Sequence, residues 1–270
     1  MAVSIVHHLI CFDNSLFPLG WGGMNIAAYF HNNSVAKRGG KLDVVANVKD
    51  VPDRLARAVV ADYERGLTSG IMPWQSETCI GEWHYNRGLY EEAGEFGGYL
   101  HPRDAIHWLV DTVSKNGTCV LNIPGRPDGT IDAKEIAVLD RITAWMSVNG
   151  EAIYKTRPWK IYGEGPTKIS AGSFHGESAA SLGANDVRFT RSKDSRVLYA
   201  ILLGLPSGEM TIEALGLSRA SAPGKIAKVE VLGSQQAPVW KQAENGLTVE
   251  VPKGIAGIPE YGVALKAHLV

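Results

Sequence analysis

Asp13, Glu64 and Glu77 are the carboxylates whose sequence surroundings suit chemistry. Asp13 closes an apolar run, Ser4 to Phe12, and precedes a loop containing Pro18, Gly20, Gly22 and Gly23. A carboxylate at the carboxyl end of a buried strand is where βα-barrels place catalytic groups; a helix cap is the alternative. Glu64 lies in Val59-Val-Ala-Asp-Tyr-Glu-Arg-Gly. In an extended chain Asp62 and Glu64 share one face and Arg65 takes the other; taken by itself, the stretch reads foremost as a solvated strand end. Glu77 sits in Pro73-Trp-Gln-Ser-Glu-Thr-Cys-Ile-Gly-Glu-Trp-His-Tyr-Asn86, which mixes Trp74, Trp83 and Tyr85 with Gln75 and His84. Aromatic faces stack on the apolar faces of sugars, while amides and carboxylates bind hydroxyls. The same rings also serve as core, because they carry large apolar area. His84 reads as polar lining. Two carboxylates on different strand ends suit glycoside hydrolysis, where one attacks the anomeric carbon and the other gives and then takes a proton. That chemistry calls for no metal and no organic cofactor.

Alternating strand and helix patterns run up to about Ile161 and would position these groups. Ser4 to Phe12, Leu42 to Ala46, Ala61 to Arg65, Ser76 to Ile80 and Val120 to Ile123 read as strands. Helical character appears at Asn25 to Asn32, after Pro52 at Asp53 to Val60, and at Pro102 to Ser114. In the last of these Ile106, Leu109, Val110 and Val113 share a face, and Gly117 is placed to end the helix. Ala133 to Asn149 is amphipathic, with Ile136, Leu139, Ile142, Trp145 and Met146 turned inward. Such alternation predicts parallel βα units with a site at the carboxyl ends of the strands. A complete eight-fold barrel needs ~250 residues, so residues 1–162 are expected to form only part of one.

From about Asn185 the pattern changes to short alternating strands separated by turn residues, the mark of a β-sandwich over 186–270. Residues 163–185, rich in Gly and Ser, read as linker and loop. The expected fold class is therefore α/β plus all-β: a partial (β/α) TIM-like barrel followed by an antiparallel β-sandwich.

The 270 residues are 45% hydrophobic and 20% charged, enough apolar content for a buried core, and the net charge of -1 argues against a nucleic-acid partner. No apolar run reaches the ~20 residues of a membrane span, and the start lacks a basic signal-peptide region, so the provisional expectation is a cytoplasmic protein without a membrane partner. Cys11, Cys79 and Cys119 show neither metal spacing nor a disulfide framework and read as buried free thiols.

Several of these blocks together resemble the α-L-fucosidases of glycoside hydrolase family 29. They are Trp108-Leu-Val-Asp-Thr-Val-Ser-Lys-Asn-Gly117, Val120-Leu-Asn-Ile-Pro-Gly-Arg-Pro-Asp-Gly-Thr-Ile131, Asn149-Gly-Glu-Ala-Ile-Tyr154 and Thr156-Arg-Pro-Trp159, with Asp62-Tyr-Glu-Arg-Gly66 and Pro73 to Gly81. The resemblance implies a retaining hydrolase that releases α-L-fucose from fucosylated oligosaccharides or glycosides. It implies Asp13 as nucleophile, Glu64 as acid/base with Glu77 as the alternative, and Trp83 against the sugar's methyl group. Lys49 falls where relatives carry an arginine near the substrate; Trp74 and His84 complete the expected substrate wall. The sugar-binding histidines and tryptophan that relatives carry before the nucleophile have no counterpart here, since His7 and His8 do not reproduce those motifs. The alternative is a non-catalytic remnant or a carbohydrate-binding module. Unpaired strand edges in a half-barrel favour pairing with another chain, which predicts a homo-oligomer or association with a missing N-terminal barrel half.

Overall fold

The computed structural model describes residues 3–6, 9–12, 21–49, 59–174, 179 and 181–270. Six strands form the first sheet in sequence order: β1 (Val3–Val6), β2 (Leu9–Phe12), β3 (Val45–Lys49), β4 (Val60–Glu64), β5 (Trp74–Cys79) and β6 (Gly117–Asn122). Strands β2 to β6 run parallel. The run from Ser4 to Phe12 is two strands rather than one, because β1 folds back antiparallel on β2 with Val6 opposite Leu9. Helix α1 (Trp21–Lys37) joins β2 to β3, and α3 (Pro102–Ser114) joins β5 to β6 after a five-residue helix α2 (Arg87–Glu91). Helix α4 (Ala133–Asn149) follows β6. The result is part of a TIM-like barrel. Of the helix expected over Asp53 to Val60, residues 53–58 lie outside the described residues and Val60 opens β4.

Local chemistry accounts for the element ends. Asp132 caps α4 by accepting from the amides of Lys134 and Glu135, and Glu135 reaches back to the Asp132 amide, a reciprocal box that satisfies otherwise orphaned donors. Pro102 begins α3, where its missing N–H costs nothing. The residue that turns the chain out of α3 is Asn116, at φ 68°, rather than Gly117, which already belongs to β6. Asparagine tolerates this left-handed conformation better than most side chains. Ile136, expected inward, is 45% exposed, and Glu135 and Val138 are the buried residues of that turn. The strand expected at Leu42 to Ala46 begins later, at Val45, with Lys41 to Asp43 exposed.

The second half is a three-layer stack with α3 and α4. A five-stranded antiparallel sheet has the order β11-β14-β9-β8-β7, from β7 (Thr156–Glu164), β8 (Val187–Ser192), β9 (Val197–Leu202), β11 (Ile226–Val231) and β14 (Val263–Leu269). A three-stranded sheet faces it, built from β10 (Glu209–Ile212), β13 (Gly246–Glu250) and β12 (Val239–Ala243) in that order. The sequence boundary at residue 162 falls inside β7, whose residues pair with β8 from Thr156 opposite Ser192 to Glu164 opposite Val187. Leu198, Ala200 and Leu202 face the three-stranded sheet, while Tyr199 and Ile201 pack on Trp145, Ile106 and Trp108 of the helices. Burial on both faces explains why β9 reads as a continuous apolar run instead of an alternating one.

Polar contacts lock the sandwich to the helices. Asp111 of α3, fully buried, accepts from Arg188 Nε of β8 at 2.6 Å and pairs with Lys115 Nζ at 2.7 Å. Lys115 also donates to the Thr68 carbonyl at 2.8 Å and lies over the ring of Tyr162 from β7. The Trp145 indole donates to the Gly262 carbonyl at 2.9 Å, and the buried His107 ring contacts the Tyr261 carbonyl at 3.0 Å.

Candidate active site

Alternation along β3, β4 and β5 sends Asn47 and Lys49, Asp62 and Glu64, and Gln75 and Glu77 to the same inner face of the parallel sheet. The register aligns them in rows: Lys49 is opposite Asp62, Asp62 opposite Gln75, and Glu64 opposite Glu77. Toward the amino ends of the strands, Asn47 donates to Gln75, and Gln75 Nε2 donates to Asp62 Oδ2 at 3.0 Å. All three residues are buried. One layer closer to the carboxyl ends stand the charges. Lys49 Nζ lies 3.2 Å from Glu64 Oε2 and also pairs with Glu77. A single buried ammonium is thus shared by two carboxylates and offsets their repulsion across adjacent strands.

Trp83, on the loop after β5, completes this group. Its indole N–H donates to Glu64 Oε1 at 3.0 Å, and its ring lies 5.7 Å from the Lys49 ammonium. Glu64 therefore has one oxygen on Lys49 and the other on Trp83, which fixes its carboxylate plane. The side chain of Glu64 is 25% exposed and that of Glu77 14%, so Glu64 is the carboxylate more open to solvent. An open cleft of about 380 Å³ lies over it, lined by Glu64, Arg65, Glu82, Trp83, His84 and Phe174.

The cleft owes its shape to a close approach of two loops. After Glu64 the chain turns at Arg65, at φ 45°, and Arg65 reaches across to the Gly81 carbonyl at 3.0 Å. Residues following β7 return to this point: Leu67 and Gly172 exchange backbone hydrogen bonds, and the Phe174 amide donates to the Glu64 carbonyl at 2.8 Å. A side chain at position 66 would meet the Gly172 oxygen at 2.6 Å, so this crossing requires glycine. Phe174, 66% exposed, thereby becomes a wall of the cleft.

The expected residues divide accordingly. Glu64, Glu77, Lys49 and Trp83 converge, and His84 lines the same cleft while remaining exposed. Trp74 does not belong with them. It starts β5 at the opposite end of the strand, is 2% exposed, donates its indole N–H to the Lys115 carbonyl at 3.3 Å and stacks edge-on against Tyr63. Its position in the strand decides this, since an odd step along β5 from Gln75 and Glu77 points to the helix side. Asp13 lies outside the described residues; Phe12, which ends β2 immediately before it, pairs with Val48 beside Lys49. His7, His8 and the Cys11 side chain are likewise outside the described residues, while Cys79 is buried and Cys119 half-buried, both as free thiols. No group of three or more His, Cys, Asp or Glu suited to a metal occurs among the described residues, and no described helix is long and apolar enough to cross a membrane.

Phe174 and the Asn47–Gln75–Asp62 row were not picked out as site residues from sequence. Period-two alternation in Val45–Lys49 could have signalled Asn47 together with Lys49. Nothing local signals Phe174, whose place depends on a distant backbone crossing.

Comparison with known proteins agrees with this architecture. Residues 27–151 match the family model for α-L-fucosidase, and residues 182–267 match the model for the α-L-fucosidase C-terminal domain. The chain is 30% identical over 184 residues to the plasma α-L-fucosidase of Homo sapiens, an alignment covering 68% of this chain and 35% of that protein. It thus spans about a third of the length of the curated relatives it matches. Among solved structures, an α-fucosidase of Thermotoga maritima in complex with a mechanism-based inhibitor superposes with a TM-score of 0.61 at 24% identity, covering 92% of this chain and 50% of that one. A family 29 α-L-fucosidase of Bacteroides thetaiotaomicron, trapped as a covalent intermediate, gives 0.66 at 18% identity, covering 96% and 56%.

Proposed function

Because the chain belongs to the α-L-fucosidase family, we propose that it carries the acid/base half of a retaining site that releases α-L-fucose from fucosylated glycosides. The observation that carries this reading is the convergence of Glu64, Glu77, Lys49 and Trp83 at the carboxyl ends of three parallel strands. Glu64 acts as the acid/base: it is the more accessible carboxylate, it faces the open cleft, and its two oxygens are oriented by Lys49 and Trp83. It donates its proton to the departing glycosidic oxygen and recovers one from the water that completes the reaction. Asp13, next in sequence after Phe12, attacks the anomeric carbon and carries the fucosyl group between the two steps. The Trp83 ring supplies an apolar face for the sugar, and His84 lines its polar side. Lys49 pairs with Glu77 and holds it in place, which leaves Glu77 as a neighbour that orders the lysine.

The covalent intermediate trapped in the Bacteroides thetaiotaomicron relative supports a double displacement for this chain. The exposed inner face of β6, with Thr118 and with Val120 at 39%, supports coverage by further strands from another copy or another chain. Light scattering is then expected to give a mass above that of one chain.

The test is release of 4-nitrophenol from 4-nitrophenyl α-L-fucoside. Wild type is expected to turn over; Glu64→Gln and Asp13→Asn are each expected to lose on the order of 10²–10⁴ in kcat. Azide should restore turnover to the Glu64 variant, since a small anion needs no general base. Unaltered turnover in Glu64→Gln together with loss in Glu77→Gln moves the proton-transfer role to Glu77. Saturable fucose binding without turnover in the wild type replaces the enzyme by a binding module.

A further inference from the structure

A second cleft, of about 370 Å³, opens beside the first and is lined by Tyr85, Arg87, Tyr90, Arg126, Pro127 and Asp128. The two clefts share one short stretch of chain: Trp83 and His84 wall the first, and Tyr85 the second. The two clefts thus meet at the backbone between His84 and Tyr85, whose Cα atoms are about 3.8 Å apart. The other wall of the second cleft comes from the loop after β6, on the same carboxyl-end face of the sheet. Asn122, ending β6, donates to the Trp83 carbonyl at 3.2 Å and ties the two loops together.

The loop is built to hold Arg126 in one place. The Arg126 amide donates to the Thr130 carbonyl at 2.8 Å, and the Gly129 amide donates back to the Arg126 carbonyl at 2.9 Å. Asp128 accepts from both the amide and the hydroxyl of Thr130. The guanidinium lies 5.8 Å from the Tyr85 ring centre and 5.5 Å from that of Tyr90. Arg87 is paired with Glu91 at 2.7 Å and adds little net charge to the lip. With Asp128 in the lining and the Lys134 ammonium 5.4 Å from the Tyr90 ring centre, the cleft offers two aromatic rings and a five-donor arginine fork among polar groups. Such a combination suits a neutral sugar, with apolar faces against the rings and hydroxyls accepting from the arginine.

We propose that the Tyr85–Tyr90–Arg126 cleft receives the saccharide to which fucose is attached, holding a neutral disaccharide leaving group as Glu64 protonates its oxygen. This rests on the hydrolase reading above and extends it from the fucosyl side of the bond to the leaving-group side.

The test compares α-L-fucosyl fluoride, whose leaving group is too small to reach the cleft, with fucosyllactose, whose leaving group is lactose. The readout is the ratio of kcat/KM for fucosyllactose to that for fucosyl fluoride. In Arg126→Ala this ratio is expected to fall at least about tenfold, the equivalent of about 1.4 kcal/mol, with Arg126→Lys intermediate because it keeps the charge and loses the fork. A ratio unchanged within about twofold overturns the assignment, as does a wild type that hydrolyses the fluoride, leaves fucosyllactose intact and binds no lactose. A wild type that turns over neither substrate refutes the hydrolase reading itself. The cleft is then judged by saturation-transfer NMR with lactose alone: a signal lost in Arg126→Ala sustains saccharide binding, and no signal in the wild type ends it. Arg126 lies at the surface, so matched melting curves are expected and separate a local effect from unfolding.

Discussion

The two sheets of the molecule are built for opposite situations. The five-stranded sheet is buried on both faces at its centre: β9 runs from Leu198 to Leu202 without a residue more than 4% exposed. The parallel sheet packs its helix side through Trp74, Tyr63 and Ser76, yet its inner face carries buried amides and charges, and at its margins Val45 and Val120 are 41% and 39% exposed. Apolar area drives the first sheet together. The second holds a polar cluster whose members hydrogen-bond and ion-pair with one another and leave a cleft open. Stability and chemistry are thus assigned to different sheets, and the Asp111 cluster joins them.

The largest effect is expected at that junction. Asp111→Ala leaves Lys115 and Arg188 buried without their shared carboxylate, a loss of about 3–5 kcal/mol that urea unfolding would register as a lower midpoint. A loss below about 1 kcal/mol would mean that the two halves do not depend on this contact.

Acid sharpens the comparison next. Burial lowers the pKa of His107, between α3 and the Tyr261 carbonyl, to about 4 from 6.5. The unfolded imidazole takes its proton near pH 6.5 and the folded one only near pH 4, so unfolding binds a proton between those values. The stability present above pH 6.5 is lost as pH falls, by about 3 kcal/mol at pH 4. His107→Gln, which can still reach the Tyr261 carbonyl, is expected to flatten that portion of the pH–stability curve; an equally steep variant curve would place the acid sensitivity elsewhere.

The smallest effect belongs to the open face. At concentrations low enough to keep the chain monomeric, Val120→Thr should change stability by no more than about 0.5 kcal/mol, as surface substitutions do. A change above about 1 kcal/mol that grows with protein concentration would show that β6 is covered in solution, and the contrast between the two sheets would then narrow.

Much of the fold is legible in the sequence because it depends on local periodicity. Pro102 to Ser114 and Ala133 to Asn149 are helices with the expected bounds, and six of the eight sandwich strands coincide with short β-rich runs set between turn residues. The two unread strands, β7 and β12, carry mixed polar residues such as Lys160 and Lys241, whose alternation is weak. Trp74 and Trp83 show the limit at the site. Both are tryptophans in one polar block, and only strand direction separates a core ring from one that bonds Glu64.

What the sequence determined by itself is therefore the inventory: which residues form elements, which carboxylates stand at strand ends, and which family the blocks resemble. Period-two and 3.6-residue patterns are properties of consecutive residues and survive without a structure. Only the tertiary structure decided that Lys49 sits between Glu64 and Glu77, that Phe174 closes the cleft, and that Arg126 is clamped over Tyr85 and Tyr90. Those arrangements depend on register between strands and on crossings of distant backbone, and neither is written in the order of neighbouring residues.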